Sequence, residues 1–139
     1  MNKIYSTTMI NTGGRRGGQS TTPDGSWIVD IAQPIEISGK ATTATNPEQL
    51  FAAGYSACFN AAVAHVLRDE KIKFEKNHVT ATVHLFKDED GGYVIAADLK
   101  VAIDDFSQAE NQRIADLAHQ ICPYSKATRG NIEVTVTGV

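Results

Sequence analysis

The stretch Thr45-Asn46-Pro47-Glu48-Gln49-Leu50-Phe51-Ala52-Ala53-Gly54-Tyr55-Ser56-Ala57-Cys58-Phe59 combines a helix start, an apolar helix body and a cysteine. Thr45 and Glu48 have the spacing of a capping box, with Pro47 just inside the helix. If Asn46 is the cap instead, Gln49 takes the reciprocal position. The spacing predicts a helix from Leu50 to about Leu67, with a break near Gly54. Ala52, Ala53, Gly54, Ser56, Ala57, Ala61, Ala62 and Ala64 keep it slim enough for close backbone packing. A helix apolar on nearly every face is expected to be buried. In so short a chain, a second subunit is one way to bury it.

Toward the N-terminus, Gly13-Gly14-Arg15-Arg16-Gly17-Gly18 is expected to be a loop whose backbone can approach other groups closely. A first strand is predicted at Ile4–Met9. Trp27, Val29 and Ile31 alternate with Ile28 and Asp30, and Ile35 and Ile37 resume after Pro34, which predicts further short strands.

Toward the C-terminus, Val79, Ala81, Val83 and Leu85 alternate with more polar residues, as do Tyr93, Ile95, Ala97, Leu99, Val101 and Ile103. Lys87-Asp88-Glu89-Asp90-Gly91-Gly92 between them is a hairpin turn. Ser107 and Glu110 form another capping box, opening a helix with Ile114, Leu117, Ala118 and Ile121 at helical spacing. Pro123 ends or redirects that helix directly after Cys122. Ile132, Val134 and Val136 alternate in a last strand. The order β–β–α–β–β–α–β predicts one α+β domain over residues 1–139 with antiparallel pairing.

The formal charge of −3 and a pI near 5.7 give no electrostatic case for binding nucleic acid or an anionic membrane. No apolar run is expected to reach the ~20 residues that span a bilayer, and the first residues lack a secretory h-region. The expected compartment is the cytoplasm, where a disulfide is more often transient and catalytic than structural.

Cys58 lies about three turns into its helix, too far from the start for the macrodipole to act on it. Burial alone raises a thiol pKa and makes it inert. A reactive Cys58 therefore needs a cation, and Arg15 and Arg16 are the candidates on the glycine-rich loop. Otherwise Cys58 fills space as a small hydrophobe. Cys122, at a helix end before Pro123, has a backbone freer to swing. Pairing the two needs Cα atoms about 4.4–6.8 Å apart, which sequence alone does not decide. If they meet, Cys58 is expected to be the better enclosed and Cys122 the more mobile. Glu48 either completes the cap, or holds Arg15 by bidentate hydrogen bonds, or does both. A zinc site from Cys58, His65, His119 and Cys122 is conceivable, but its spacing matches no compact structural-zinc pattern. His78, His84, Asp104 and Asp105 are expected at the surface, and the glycines at 13–18 do not form a phosphate-binding fingerprint.

Together, Gly13-Gly14-Arg15, the stretch Thr45 to Phe59, Gly92-Tyr93, Ala118-His119-Gln120-Ile121-Cys122-Pro123-Tyr124-Ser125 and Ala127-Thr128-Arg129-Gly130-Asn131-Ile132 resemble the organic hydroperoxide resistance (Ohr) branch of the Ohr/OsmC family. Tyr124 and Arg129-Gly130-Asn131 look more like Ohr than OsmC. The resemblance implies antiparallel sheets packed around a central apolar helix, in an intertwined homodimer. It maps Cys58 onto the peroxidatic cysteine, Cys122 onto the resolving cysteine, and Arg15 and Glu48 onto the pair that activates the thiolate. It implies a peroxidase for organic hydroperoxides, including those of fatty acids, recycled by an external dihydrolipoyl group on a lipoylated protein, with no bound cofactor or metal. The alternative is a dimeric redox-sensing or ligand-binding module without turnover.

Overall fold

The computed structural model describes all of residues 1–139. Its internal contacts divide into two compact units, Met1–Leu50 and Phe51–Val139.

In the first unit, β1 (Ile10–Thr12), β2 (Gly18–Thr21) and β3 (Ile28–Ile31) form an antiparallel sheet in that order. The strand expected at Ile4–Met9 is not there: residues 1–9 are exposed and belong to no regular element. Without a neighbouring strand, a short apolar run has nothing to satisfy its backbone. The glycine-rich loop is the β1–β2 connection. It makes one 3-10 turn, Gly14–Arg16, flanked by Gly13 at φ 88° and Gly17 at φ 126°. A Cβ on Gly13 would lie 2.9 Å from the Gly18 Cα, so the turn needs its glycines for space as well as for φ.

Ile35 and Ile37 lie in a short helix, α1 (Ile35–Ser38), and not in a strand. Pro34 brings φ −65° to its start, and Gly39 at φ 72° closes it by donating its N–H to the Ile35 carbonyl. These punctuating residues outweigh the period-two spacing of the isoleucines, both of which are exposed. Helix α2 (Pro47–Asp69) then begins. The Gln49 N–H donates to Asn46 Oδ1 at 2.8 Å, so Asn46 is the cap, and Thr45 Oγ1 donates to Gln49 Oε1 at 2.6 Å.

In the second unit, α2 continues unbroken through Gly54. By its length of 23 residues and its apolar composition alone it is long and apolar enough to cross a membrane, contrary to the sequence expectation. Here it is a core helix: Tyr55, Phe59, Val63 and Leu67 are wholly inaccessible, at the i, i+4 spacing of one face. They pack with Leu99, Val101, Ile114, Ala115 and Ala118.

The sheet beside it contains β4 (Asn77–Lys87), β5 (Tyr93–Ile103) and β6 (Val134–Gly138). The β4–β5 hairpin closes as the sequence predicts, with the Gly92 N–H donating to Asp88 Oδ1 at 2.8 Å and Gly91 at φ 84°. However, β6 runs parallel to β5, not antiparallel. Helices α3 (Gln108–Ile121) and α4 (Pro123–Thr128) carry the chain back to the other end of the sheet first, as a parallel pair requires. Ser107 caps α3 by accepting from the Glu110 N–H at 3.2 Å. Its buried face is Asn111, Ile114, Ala115 and Ala118, while Leu117 and Ile121 remain partly exposed.

Gly138 in β6 is where α3 approaches most closely: a Cβ there would run into the backbone of Asn111 and Gln112. Backbone cannot give way as a side-chain tip can. Gly138→Ala is expected to destabilise by roughly 1–3 kcal/mol, read as a lower midpoint in urea unfolding with an unchanged slope.

Candidate active site

The loop and the helix start fix the first pair of side chains. Arg15 is presented by the 3-10 turn, and Glu48 by the first turn of α2. Because Asn46 and Gln49 form the cap, the Glu48 carboxylate is available to the arginine. Arg15 Nη1 donates to Glu48 Oε2 at 2.8 Å and Nη2 to Oε1 at 2.7 Å, a bidentate fork. The guanidinium is the main cause that holds the Glu48 carboxyl below its usual range, against the opposing effect of burial. A lowered carboxylate pKa contributes stability above the unfolded value, lost as pH falls through the folded one. The fork is therefore intact at neutral pH and opens only in acid.

The first thiol, Cys58, lies in the part of α2 (Pro47–Asp69) that belongs to the second unit. Cys58 is half-buried, and Cys122, between α3 and α4, is wholly inaccessible. Both are free thiols, with Cys122 Sγ 3.7 Å from Cys58 Sγ. This is van der Waals contact, and a disulfide needs the sulfurs to close to about 2.05 Å. The enclosure is the reverse of the sequence expectation. Pro123 redirects the chain as foreseen, but the turn it makes tucks Cys122 against α2: Cys122 caps the end of α3 and the start of α4 with φ −61° and ψ 125°.

Burial pushes the Cys58 thiol up, and the neighbouring Cys122 adds to it, while the Tyr124 backbone N–H pulls the other way. The surroundings within this unit thus favour the protonated form. Gly54, one turn before Cys58, lies under the Tyr124 ring: a Cβ there would be 2.6 Å from the Tyr124 hydroxyl. That close approach, and not a helix break, is what Gly54 serves. Phe51, Tyr55 and Tyr124 cluster there, with ring centroids 5.5–6.0 Å apart.

The four residues of the conceivable zinc site do not assemble. His65 is exposed, His119 bonds Ser125, and no three His, Cys, Asp or Glu side chains come together as a metal-binding group. His78 and His84 instead face Asp104 and Asp98, at 3.3 and 2.8 Å.

The family profile of OsmC-like proteins matches residues 39–137. An organic hydroperoxide resistance protein-like 2 of Staphylococcus epidermidis is 49% identical over 134 residues, 96% of this chain and 94% of that one. The chain belongs to the OsmC-like family, in its Ohr branch. The Ohr fold is likewise matched in solved structures. The organic hydroperoxide resistance protein OhrB of Bacillus subtilis superposes with a TM-score of 0.88 at 40% identity, covering 97% of this chain and 98% of that one. An organic hydroperoxide resistance protein from Elizabethkingia anophelis gives 0.90 at 40% identity, covering 99% of this chain and 98% of that one.

Sequence reasoning within the Ohr resemblance singled out Arg15, Glu48, Cys58 and Cys122, and the structure joins them as two pairs. It passed over Tyr55, Ser125 and Thr128, whose hydroxyls meet in the interior. Their only signal was that each falls inside or beside a block of the Ohr resemblance.

Proposed function

We propose that this protein reduces organic hydroperoxides, those of fatty acids among them, to alcohols by a two-cysteine cycle. The observation that carries this reading is the contact of two free sulfurs, Cys58 and Cys122, 3.7 Å apart in a chain of the Ohr branch. The relatives' names, organic hydroperoxide resistance protein, support the same class of substrate.

In the first step the Cys58 thiolate attacks one oxygen of the peroxide. The O–O bond breaks, a sulfenic acid forms on Cys58, and the alkoxide leaves as the alcohol once protonated. Arg15, oriented by its fork to Glu48, supplies the positive charge that this thiolate and the departing oxygen require. In the second step Cys122 attacks the sulfenic sulfur, an S–S bond replaces the S–O bond, and water leaves. A dihydrolipoyl group on a lipoylated protein then exchanges with the disulfide, restoring both thiols as its own pair is oxidised. The free thiols are consistent with a cytoplasmic protein, and the exposed Leu50, Ala53, Ala57 and Ala61 along α2 favour a homodimer.

The test is to mix reduced protein with cumene hydroperoxide and dihydrolipoamide and follow peroxide loss. Many equivalents consumed per protein is the expected result. One equivalent consumed, with a disulfide formed and no recycling, would instead identify a redox sensor; unchanged thiols would identify a binding module. Cys122→Ser is expected to consume one equivalent, accumulate sulfenic acid visible by mass, and then recycle poorly.

A further inference from the structure

In the interior of the second unit, four side chains outside the cysteine chemistry meet. Tyr55, Ser125 and Thr128 are buried, and His119 is partly so. The Tyr55 hydroxyl lies 3.1 Å from both Ser125 Oγ and Thr128 Oγ1. Ser125 Oγ lies 2.9 Å from His119 Nδ1, and Thr128 Oγ1 donates to the Ser125 carbonyl at 3.2 Å. No buried side-chain nitrogen or oxygen lacks a partner. The members come from all three helices that bear on the sulfurs: Tyr55 precedes Cys58 by three residues on α2, His119 precedes Cys122 by three on α3, and Ser125 follows it by three on α4.

We propose that Tyr55, Ser125, Thr128 and His119 form a positioning network that holds Cys122 against Cys58 for the disulfide-forming step. This rests on the two-cysteine reading above. In that step the Cys122 sulfur must approach the Cys58 sulfur along the axis of the departing S–O bond, while the hydroxyl leaves as water with the proton given up by Cys122. An alignment of this kind is sensitive to displacements of about 1 Å, which can cost up to roughly 10²-fold. Cys122 sits at a bend between two helices, where its N–H donates to the Ala118 carbonyl at 2.9 Å and its carbonyl accepts from the Lys126 N–H at 3.0 Å; these bonds hold it to α3 and α4 but do not set either helix against α2. The hydroxyls supply that restraint by tying α4 to α2 through Tyr55, and α4 to α3 through His119.

The protons can be ordered. Each hydroxyl carries one. Thr128 spends its proton on the Ser125 carbonyl, so Tyr55 must donate to Thr128, and Ser125 must donate to Tyr55. The contact between Ser125 and His119 then has a proton only if the ring brings it on Nδ1. Burial, chiefly, and Arg129 hold the His119 pKa down, so the ring is neutral with Nε2 bare.

Single-turnover experiments on the full-length chain test this. Reduced wild type, Tyr55→Phe, Thr128→Val and Thr128→Ser receive one equivalent of cumene hydroperoxide with dimedone present, and separately diamide, which drives disulfide formation without peroxide. Expected are unchanged peroxide consumption, disulfide formation slowed about tenfold in Tyr55→Phe and Thr128→Val, a matching rise in dimedone adduct, and near wild-type behaviour in Thr128→Ser. Nitrogen-15 NMR of the wild type is expected to show the His119 proton on Nδ1. Disulfide formation at the wild-type rate in both hydroxyl-deleted variants, or a wild-type ring protonated on Nε2, would overturn the network. If cumene hydroperoxide leaves the thiols unchanged while the diamide reaction still lags in the variants, the peroxidase reading fails and the positioning role stands.

Discussion

Cys58→Ser is expected to reduce hydroperoxide turnover to the uncatalysed background. A serine hydroxyl is not ionised near neutral pH, and it cannot form the sulfur–oxygen intermediate at all. The change is close to isosteric at a position that is only half-buried, so it is expected to leave folding intact. The measurement is peroxide loss with dihydrolipoamide, paired with a urea midpoint. Residual turnover above a few per cent in a folded variant would assign the chemistry to another group.

Arg15→Ala is expected to give the second-largest loss, on the order of 10²–10³-fold in the rate of Cys58 oxidation at neutral pH, by analogy with removal of one preorganised charge-stabilising donor. The sign of the pH effect follows from the thiol. Burial and Cys122 favour the protonated form of Cys58, so its reactive thiolate grows as pH rises. On the role proposed for Arg15, removing its charge moves the thiol pKa further up, and the ascending limb of rate against pH is expected to shift to higher pH. The deficit therefore narrows in alkali. An unshifted limb with a uniform loss would mean that Arg15 acts on the peroxide oxygens alone. If Arg16→Ala produced the shift instead, the neighbouring arginine would be the activating one.

The elements legible in the sequence were those with long periodic patterns or full punctuation. The β4–β5 hairpin had alternation on both sides of an Asp-Gly-Gly turn, and α3 had a serine cap. Those misread were short. Residues 4–9 and 35–37 carry too few apolar positions to separate strand from helix, and Pro34 and Gly39 decided the second case. The direction of β6 depends on where two helices leave the chain, which no local pattern encodes. For the candidate site, both candidate sulfurs and the Arg15–Glu48 fork were named from residue type and resemblance. Which sulfur is covered was read the wrong way round, because it depends on how the bend at Pro123 packs on α2.

That bend has a bearing on the order of events during recycling. With residue 122 sealed inside and residue 58 only partly covered, an incoming thiol has a single sulfur within reach. The mixed disulfide would then be carried by residue 58, and residue 122 would be the leaving group, set free within the protein's interior.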